Sequence, residues 1–544
     1  MSELYEDPDV HRRRWLLLSV MCLSLVLVVM SVSSLNVAAP RLQQDLDASS
    51  TALHWIIDSY ALVFAGLLLA AGALGDRFGR KGALLAGLAV FGVGLVVAGL
   101  GSTPAQVIAG RGIMGVGSAF VMPATLSLIT AVFPPEERGR AIATWAGFAG
   151  AGAAIGPVVA GLLLEWFWWG AAVLVNLPVV AVAMVAVAVW SPKSRDSHVT
   201  PLDPVGSVLA LVGMVALLFG IIEGAERGWT DGLVLGSFLL AVVVGSAFVA
   251  WESRTAHPML PLTLFRDRRF SVASVTITLT FFSLFGVFFL STLYMQYVLG
   301  YSPLEAGLAS LPSAAAMILV APRSAALGER FGPGPVIAGG FASLAASLAV
   351  FASLGTDSPY PLLALALALM GVGLGAAAAP ATGLLMSAVP MDKAGVGSAV
   401  NDTTREFGGA LGIAVAGTIA GSAYRSGFGE AGTQAAVDAG LDPGAAEAAH
   451  ESIGGAWGAA QGLPGGGAEV LSRAQDAFVD AFRLTNSITL LVAVATGVFV
   501  LVSLRPRRAT ADAVAGDALE ADGVPVGPAL DPEAEPALAY AEDV

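Results

Sequence analysis

The sequence carries little charge and almost no thiol or imidazole. Asp, Glu, Lys and Arg make up 12% of the 544 residues, about half the share found in soluble domains, which excludes a water-soluble globular protein. The one cysteine, Cys22, lies inside an apolar run, so a disulfide framework and a cysteine metal site are both excluded. Five histidines, His11, His54, His198, His257 and His450, are scattered at chain ends and loops. They form no cluster with nucleophiles or metal ligands of the kind an enzyme needs. There is no Gly-x-x-x-x-Gly-Lys-Ser/Thr loop to hold a nucleotide. The chain reads as neither an enzyme nor an ATP-driven pump, and no cofactor or metal is expected.

What is abundant is apolar length. Hydrophobic residues make up 56% of the chain, and the mean hydropathy is +0.77. Apolar runs of about twenty residues recur from Trp15 to Leu504, each long enough to cross the roughly 30 Å hydrocarbon layer. The runs are continuous, as in Leu16 to Met30, not the short alternating segments of a β-barrel. Helices satisfy their own backbone in lipid, so the expected fold is an all-α polytopic membrane protein. Fourteen transmembrane helices are expected, near 15–39, 52–74, 82–100, 104–131, 140–163, 169–190, 204–223, 232–252, 270–293, 304–325, 334–354, 360–388, 395–420 and 483–504. Cleaving the first as a signal peptide would leave an odd count that conflicts with the loop charges.

The charges orient these spans. Of 27 Lys and Arg, twenty fall on one side, including Arg12 to Arg14, Arg77, Arg80, Lys81, Arg138, Arg140, Arg266, Arg268 and Arg269. Five fall on the other side, and Arg111 and Arg405 lie within the membrane. The positive side is cytoplasmic and holds both termini. The net charge of −14 resides largely in the stretch from Ala509 to Val544, with nine acids and no Lys or Arg. This reads as a disordered tail, and no nucleic-acid surface is indicated.

An internal repeat groups the helices. Leu74-Gly75-Asp76-Arg77-Phe78-Gly79 follows the second span and Leu327-Gly328-Glu329-Arg330-Phe331-Gly332 follows the tenth. An offset of eight fits two six-helix halves with two inserted helices between them, and parallel halves of this kind are a transporter architecture. The expected organisation is a cytoplasmic N-terminus (1–14), a first six-helix half (15–190) and two inserted linker helices with their loops (191–269). A second six-helix half (270–504) follows, then the tail (505–544). The second half contains a long outer loop (421–482), read as a helical hairpin of Ala445 to Ala460 and Ala468 to Ala481 around Gly462 to Gly467.

These segments resemble the major facilitator superfamily, and within it the fourteen-helix drug:proton antiporters of the EmrB/QacA type. Gly72-Ala73-Leu74-Gly75-Asp76-Arg77-Phe78-Gly79-Arg80-Lys81 is similar to the superfamily's signature between helices two and three. There the glycines permit a tight turn, Asp76 can accept from an exposed helix N-terminus of the other half, and the basic residues can hold acidic groups or lipid phosphates. Gly152-Ala153-Ala154-Ile155-Gly156-Pro157-Val158-Val159-Ala160-Gly161 resembles the antiporter signature of helix five, which is typical of exporters. Trp55 to Tyr60, Gly300 to Gly307 and Gly397 to Glu406 are similar to further segments of the group. The resemblance implies gating by Asp76, Arg77, Arg80, Glu329, Arg330, Gly156 and Pro157.

Intramembrane charges are costly and mark the functional shortlist. Asp58 and Arg111 lie at similar depth and can pair. Either they form a static ion pair, or Asp58 takes up a proton under the influence of Arg111. Asp402 and Glu406 share one helical face beside Arg405, either as a proton and cation site or as a solvated charge cluster. The chain departs from relatives at three positions: Ser31 replaces an acid five residues before Asn36, Met114 replaces a glutamine in helix four, and Ala316 replaces an acid in helix ten. Ala316 stands where some exporters of dications carry an acid, which favours monocationic, neutral or zwitterionic substrates. The substrate cavity is expected to involve Ser31, Asn36, Trp55, Trp145, Phe148, Phe281, Phe285 and Tyr294, with Phe282 and Phe288 as further aromatics. Trp166, Trp168 and Trp169 read as an interfacial belt. The expected function is proton-driven export of hydrophobic or amphiphilic drugs or a related metabolite by alternating access. The alternative is proton-coupled import of a specific solute. Expected partners are a small-molecule substrate, protons and the lipid bilayer, with the chain acting as a monomer in the inner (plasma) membrane.

Overall fold

Within apolar runs that meet no water, the backbone can satisfy its polar groups only by closing on itself. The computed structural model describes residues 4–48, 50–192, 203–461, 463 and 467–504, and among these it contains helices and no strand. The acidic tail, the linker at 193–202 and most of the Gly462 to Gly467 turn lie outside the described residues.

Among the described residues, thirteen helices are long and apolar enough to cross a membrane. They are α1 (Pro8–Asp45), α2 (Ser50–Phe78), α3 (Arg80–Gly99), α4 (Pro104–Val132), α6 (Trp169–Trp190), α7 (Pro204–Arg227), α8 (Gly232–Glu252), α9 (Arg268–Val298), α10 (Leu304–Phe331), α11 (Pro333–Ser353), α12 (Tyr360–Ser387), α13 (Ala394–Asp438) and α14 (Gly467–Ser503). The fourteenth is α5 (Pro135–Trp166), of 32 residues.

The packing repeats with an offset of eight. In the first half α1 packs on α5, α2 on α4, α3 on α4 and α3 on α6. In the second, α9 packs on α13, α10 on α12, α11 on α12 and α11 on α14. Across the halves, α5 against α10 has its counterpart in α13 against α2. The helices α7 and α8 stand outside this scheme: α8 leans on α7, and α7 lies against both α2 and α13. The fold is therefore two six-helix halves with two inserted helices.

The repeated hexapeptide has a backbone reason. Its last residue takes φ of 111° at Gly79 and 83° at Gly332, where a side chain would be strained, and each glycine separates two crossing helices. Gly300 to Gly307 is likewise a built turn. Gly300 has φ of 70°, and Ser302 and Glu305 form a reciprocal capping box at the start of α10.

Helix boundaries differ from expectation at the ends. α1 begins at Pro8, capped by Asp7, whose carboxylate accepts from the Asp9 amide at 2.9 Å. The stretch expected as loop from 421 is helical: α13 continues to Asp438 with a bend at Gly429, where φ is 56°. The two arms of the expected hairpin also differ. Ala445 to Ala460 is divided into Pro443–Glu451 and Ile453–Gln461 by extended Ser452, and Ala468 to Ala481 is the first part of α14. Stretches rich in Ala and Gly with scattered charges support helix as well as loop, so the end of the apolar run placed these helix ends too early. Trp166 and Trp168 are exposed as expected of an aromatic belt, whereas Trp169 is buried where α6 begins.

Backbone proximity depends on glycine. At the α9–α13 contact, a side chain added at Gly408 or Gly412 would run into the carbonyls of Thr278 and Phe282. Replacing Gly412 with Val should therefore cost about 1–3 kcal/mol through overpacking. A lowered thermal midpoint of the purified full chain is the expected result, and an unchanged midpoint would show that α9 and α13 separate at no cost.

Candidate functional site

Two polar constellations form where the halves meet. The first lies at the end of α2. A methyl group at Gly72 would lie 2.6 Å from the Gly395 carbonyl, so α2 approaches the start of α13 backbone to backbone. This places Asp76, only 6% exposed, at the N-terminus of α13. Its Oδ2 accepts from the amides of Gly395 at 2.7 Å and Val396 at 3.2 Å. Lys393, the N-cap residue, provides no side-chain cap of its own, so a carboxylate from the other half satisfies these amides. Arg80 completes the arrangement: its Nε donates to Asp76 Oδ1 at 3.0 Å and its Nη2 to the Met391 carbonyl at 2.8 Å.

The remaining signature residues divide between the repeats. Lys81 donates to the carbonyls of Ala188 and Ser191, capping the C-terminus of α6, where an acid or a lipid phosphate was expected as its partner. Arg77 and Arg330 each lie over the ring of the following residue, Phe78 and Phe331. Glu329 does not repeat the behaviour of Asp76. It is exposed beside Gly139 of α5 and makes no hydrogen bond or ion pair among the described residues. The chain turns at the same glycine in both copies, but one acid is engaged and the other is not.

The second constellation lies deeper. Asp402, 1% exposed, accepts from Asn401 Nδ2 at 3.1 Å, and Arg405 Nη1 stands 3.7 Å from the same oxygen. The Asn401 side-chain Oδ1 in turn accepts from the Thr382 hydroxyl of α12 at 2.9 Å. The Arg405 guanidinium is held between two rings, Phe281 of α9 at 4.6 Å and Trp145 of α5 at 5.7 Å. One cation thus joins both halves by cation–π contact. Asp402 Oδ2 and Trp145 Nε1 are buried without a partner in the described structure. Glu406, half-buried one turn along, is within electrostatic reach of Arg405, Asp402 and Tyr60 of α2.

Tyr60 extends this line into the first half. Its hydroxyl donates to Ser118 of α4 at 2.8 Å, and its ring lies under Arg111 at 4.5 Å. Fully buried Arg111 donates Nε to the Ile56 carbonyl at 3.1 Å. The expected Asp58–Arg111 pair is corrected to an interaction through space: Arg111 turns to the Ile56 carbonyl and the Tyr60 ring, with Asp58 within electrostatic reach. Tyr60, Asn401 and Thr382 were not anticipated as site residues. Tyr60 and Asn401 stand in quoted motifs, but an uncharged polar residue in a span gives no signal until its partner is known.

The other expected cavity residues part company. Gly156 lies against Met30 and Ser34 of α1, and Pro157 lies 3.2 Å from the position a methyl would take at Gly307 of α10, so this signature forms packing seams. The Ser31 hydroxyl donates to the Val28 carbonyl within its own helix, and the side chain of Asn36 lies outside the described residues. Trp55 packs on Phe219 of α7. Phe148 and Phe285 are exposed. Tyr294 is moved out of the cavity: it is fully buried against Phe482 of α14, and its hydroxyl donates to the Gly355 carbonyl at 2.6 Å.

Paired helical halves, two inserted helices and glycine seams define a multi-pass helical membrane protein with the architecture of a transporter. Residues 21–413 match the Major Facilitator Superfamily. Over 426 residues the chain is 33% identical to the tetracenomycin C resistance and export protein of Streptomyces glaucescens, covering 76% of this chain and 79% of that protein. It is 34% identical over 407 residues to the multidrug efflux pump LfrA of Mycolicibacterium smegmatis, covering 75% and 81% respectively. Among solved structures, the human organic anion transporter MFSD10 shares the fold, with a TM-score of 0.56 and 14% identity over 89% of this chain and 99% of that one. The chain belongs to the Major Facilitator Superfamily and groups with its drug exporters.

The Asp76 contact can be measured. Asp76→Asn removes the charge from two helix-terminal hydrogen bonds, expected to cost about 1–2 kcal/mol in the closed arrangement. A cysteine at buried Ala399, which faces Gly72, in a Cys22→Ala background should then label roughly 5–30-fold faster. Equal labelling rates would leave Asp76 as a loop residue with no hold on α13.

Proposed function

We propose that this protein is a proton-driven exporter that carries hydrophobic or amphiphilic drugs, or a related metabolite, outward by alternating access. The reading rests on one observation: Asp58 of α2 and Asp402 and Glu406 of α13 lie within electrostatic reach of a line of cations and aromatic rings that crosses from one half to the other. A charge in that line is stable only while its counter-charge stays close, so adding a proton to Asp402 or Glu406 changes what Arg405 attracts. Resistance and efflux functions named for relatives at about a third identity support the direction of transport. In this reading the Asp76 end faces the cytoplasm with both chain termini, the protein works as a monomer in the inner (plasma) membrane, and protons enter as substrate leaves.

Asp58 and Arg111 serve as one proton-coupling group, and Asp402, Arg405 and Glu406 as the other. Phe281 and Trp145 flank the second. Asp76 and Arg80 act as the cytoplasmic latch, with Arg77, Glu329 and Arg330 at the same end and Gly156 and Pro157 allowing α5 to slide on α1 and α10.

Transport into inverted vesicles under an imposed pH gradient, tested with a panel of dyes and antibiotics, measures both direction and coupling. Asp58→Asn is expected to abolish proton-driven uptake into such vesicles while the protein still inserts, because the amide cannot cycle a proton. Undiminished uptake would reduce Asp58 to a packing role. Glu406→Gln and Asp402→Asn should each shift the pH dependence of drug binding, and curves overlaying the parent from about pH 5 to about pH 9 would remove both from the coupling mechanism.

A further inference from the structure

The inserted helices carry a pair of buried acids that neither constellation uses. Asp203 stands before α7 and Glu252 ends α8, and they are 8% and 3% exposed. Asp203 is well supplied with donors. Its Oδ1 accepts from the Gly206 amide at 2.8 Å, capping α7, and the Trp251 indole donates to both of its oxygens at 2.9 and 3.0 Å. Glu252 has one donor: its Oε2 accepts from the Leu260 amide at 3.1 Å. Its Oε1 is buried with no donor among the described residues. Both carboxyl groups border Gly206, which lacks the side chain that would separate them, and Glu252 is within hydrogen-bond reach of Asp203.

Two carboxylates cannot both be ionised at this distance in a buried site without large cost. Asp203 already accepts three hydrogen bonds while Glu252 Oε1 has no partner, so a shared proton belongs on Glu252, whose O–H then donates to Asp203. Among the described residues, Lys393 at the start of α13 is the other charged group within electrostatic reach of Glu252. Lys393 immediately precedes Ala394, the first residue of the helix whose next amides Asp76 holds. We propose that Asp203 and Glu252 form a proton-binding site at the base of α7 and α8, and that release of the shared proton frees a carboxylate for Lys393. The site then reports local pH to the helix start where the halves close. The step is proton release alone: the proton passes to water, and the vacated carboxylate is neutralised by the Lys393 ammonium.

The sign follows from the arrangement. Protonated Glu252 ties α7, α8 and the segment at Leu260 together, so this contribution is present at low pH and lost as pH rises through the titration of the pair. The test uses the full chain in lipid nanodiscs and the infrared carbonyl stretch of protonated carboxyl groups. One band beyond those of Asp58, Asp402 and Glu406 should be present in the parent, vanish on raising the pH, and be missing from the parent-minus-variant comparison with Glu252→Gln, whose amide keeps a donor for Asp203. In Asp203→Asn, which retains the α7 cap, the titration midpoint should fall by roughly one pH unit or more, since the neighbouring negative charge is gone. Identical carboxyl bands in the parent and Glu252→Gln from about pH 5 to about pH 9 would overturn the proposal. If Glu252→Gln fails to fold, an unchanged midpoint in Asp203→Asn overturns it. A midpoint that shifts when sodium is replaced by choline would assign the site to a metal cation and would equally overturn it.

Discussion

A helix that begins inside a protein presents amides with no partner along its own axis, and the start of α13 is the place where this requirement shapes the molecule. Lys393 gives no side-chain cap, and the amides of Gly395 and Val396 are satisfied by Asp76 from the other half. Completing one helix and closing one end of the bundle are therefore a single interaction. Arg80 stiffens it by holding both Asp76 and the carbonyl of Met391 just before α13. The absence of a matching contact at Glu329 makes this closure one-sided, although the two loops share their glycine turn.

Close approach is the second condition. In lipid, apolar surfaces gain little by leaving their surroundings, so helices associate through packing at small residues and through polar contacts. The seams follow this rule: α2 meets α13 at Gly72, α5 meets α1 at Gly156, and α5 meets α10 at Gly307 and Gly147. The symmetry of the halves is broken where α7 is inserted. Leu211 and Val215 of α7 fill the space beside Gly66 of α2, and the Trp229 indole reaches Thr418 of α13 at 3.0 Å. One seam between the halves is thus covered by an additional helix, while its counterpart between α5 and α10 is closed by direct contact.

Buried charge follows the same logic of partners. Arg405 is stabilised by two aromatic faces and one carboxylate, and Arg111 by a backbone carbonyl and one aromatic face. Neither cation is neutralised by a tight ion pair, which leaves the nearby acids electrostatically responsive. A tight pair would be costly to break in a low dielectric and would resist changes of occupancy.

The sequence by itself determined the class of fold, because crossing a membrane is a local matter of apolar length and self-satisfied backbone, readable residue by residue. Asp76 was legible too, down to its kind of partner, because a lone acid in a basic, glycine-rich turn needs a donor group and a helix start offers one. The clustering of Asp402, Arg405 and Glu406 followed from helical spacing. Tertiary structure decided which groups meet across helices. It sent Arg111 to Tyr60, Tyr294 to Phe482 and Trp55 to Phe219, and it brought Asp203 and Glu252 together from positions 49 residues apart that carry no common signal. The reason is physical: the cost of burying a polar group is a property of the residue, but the partner that offsets the cost is a property of the packing.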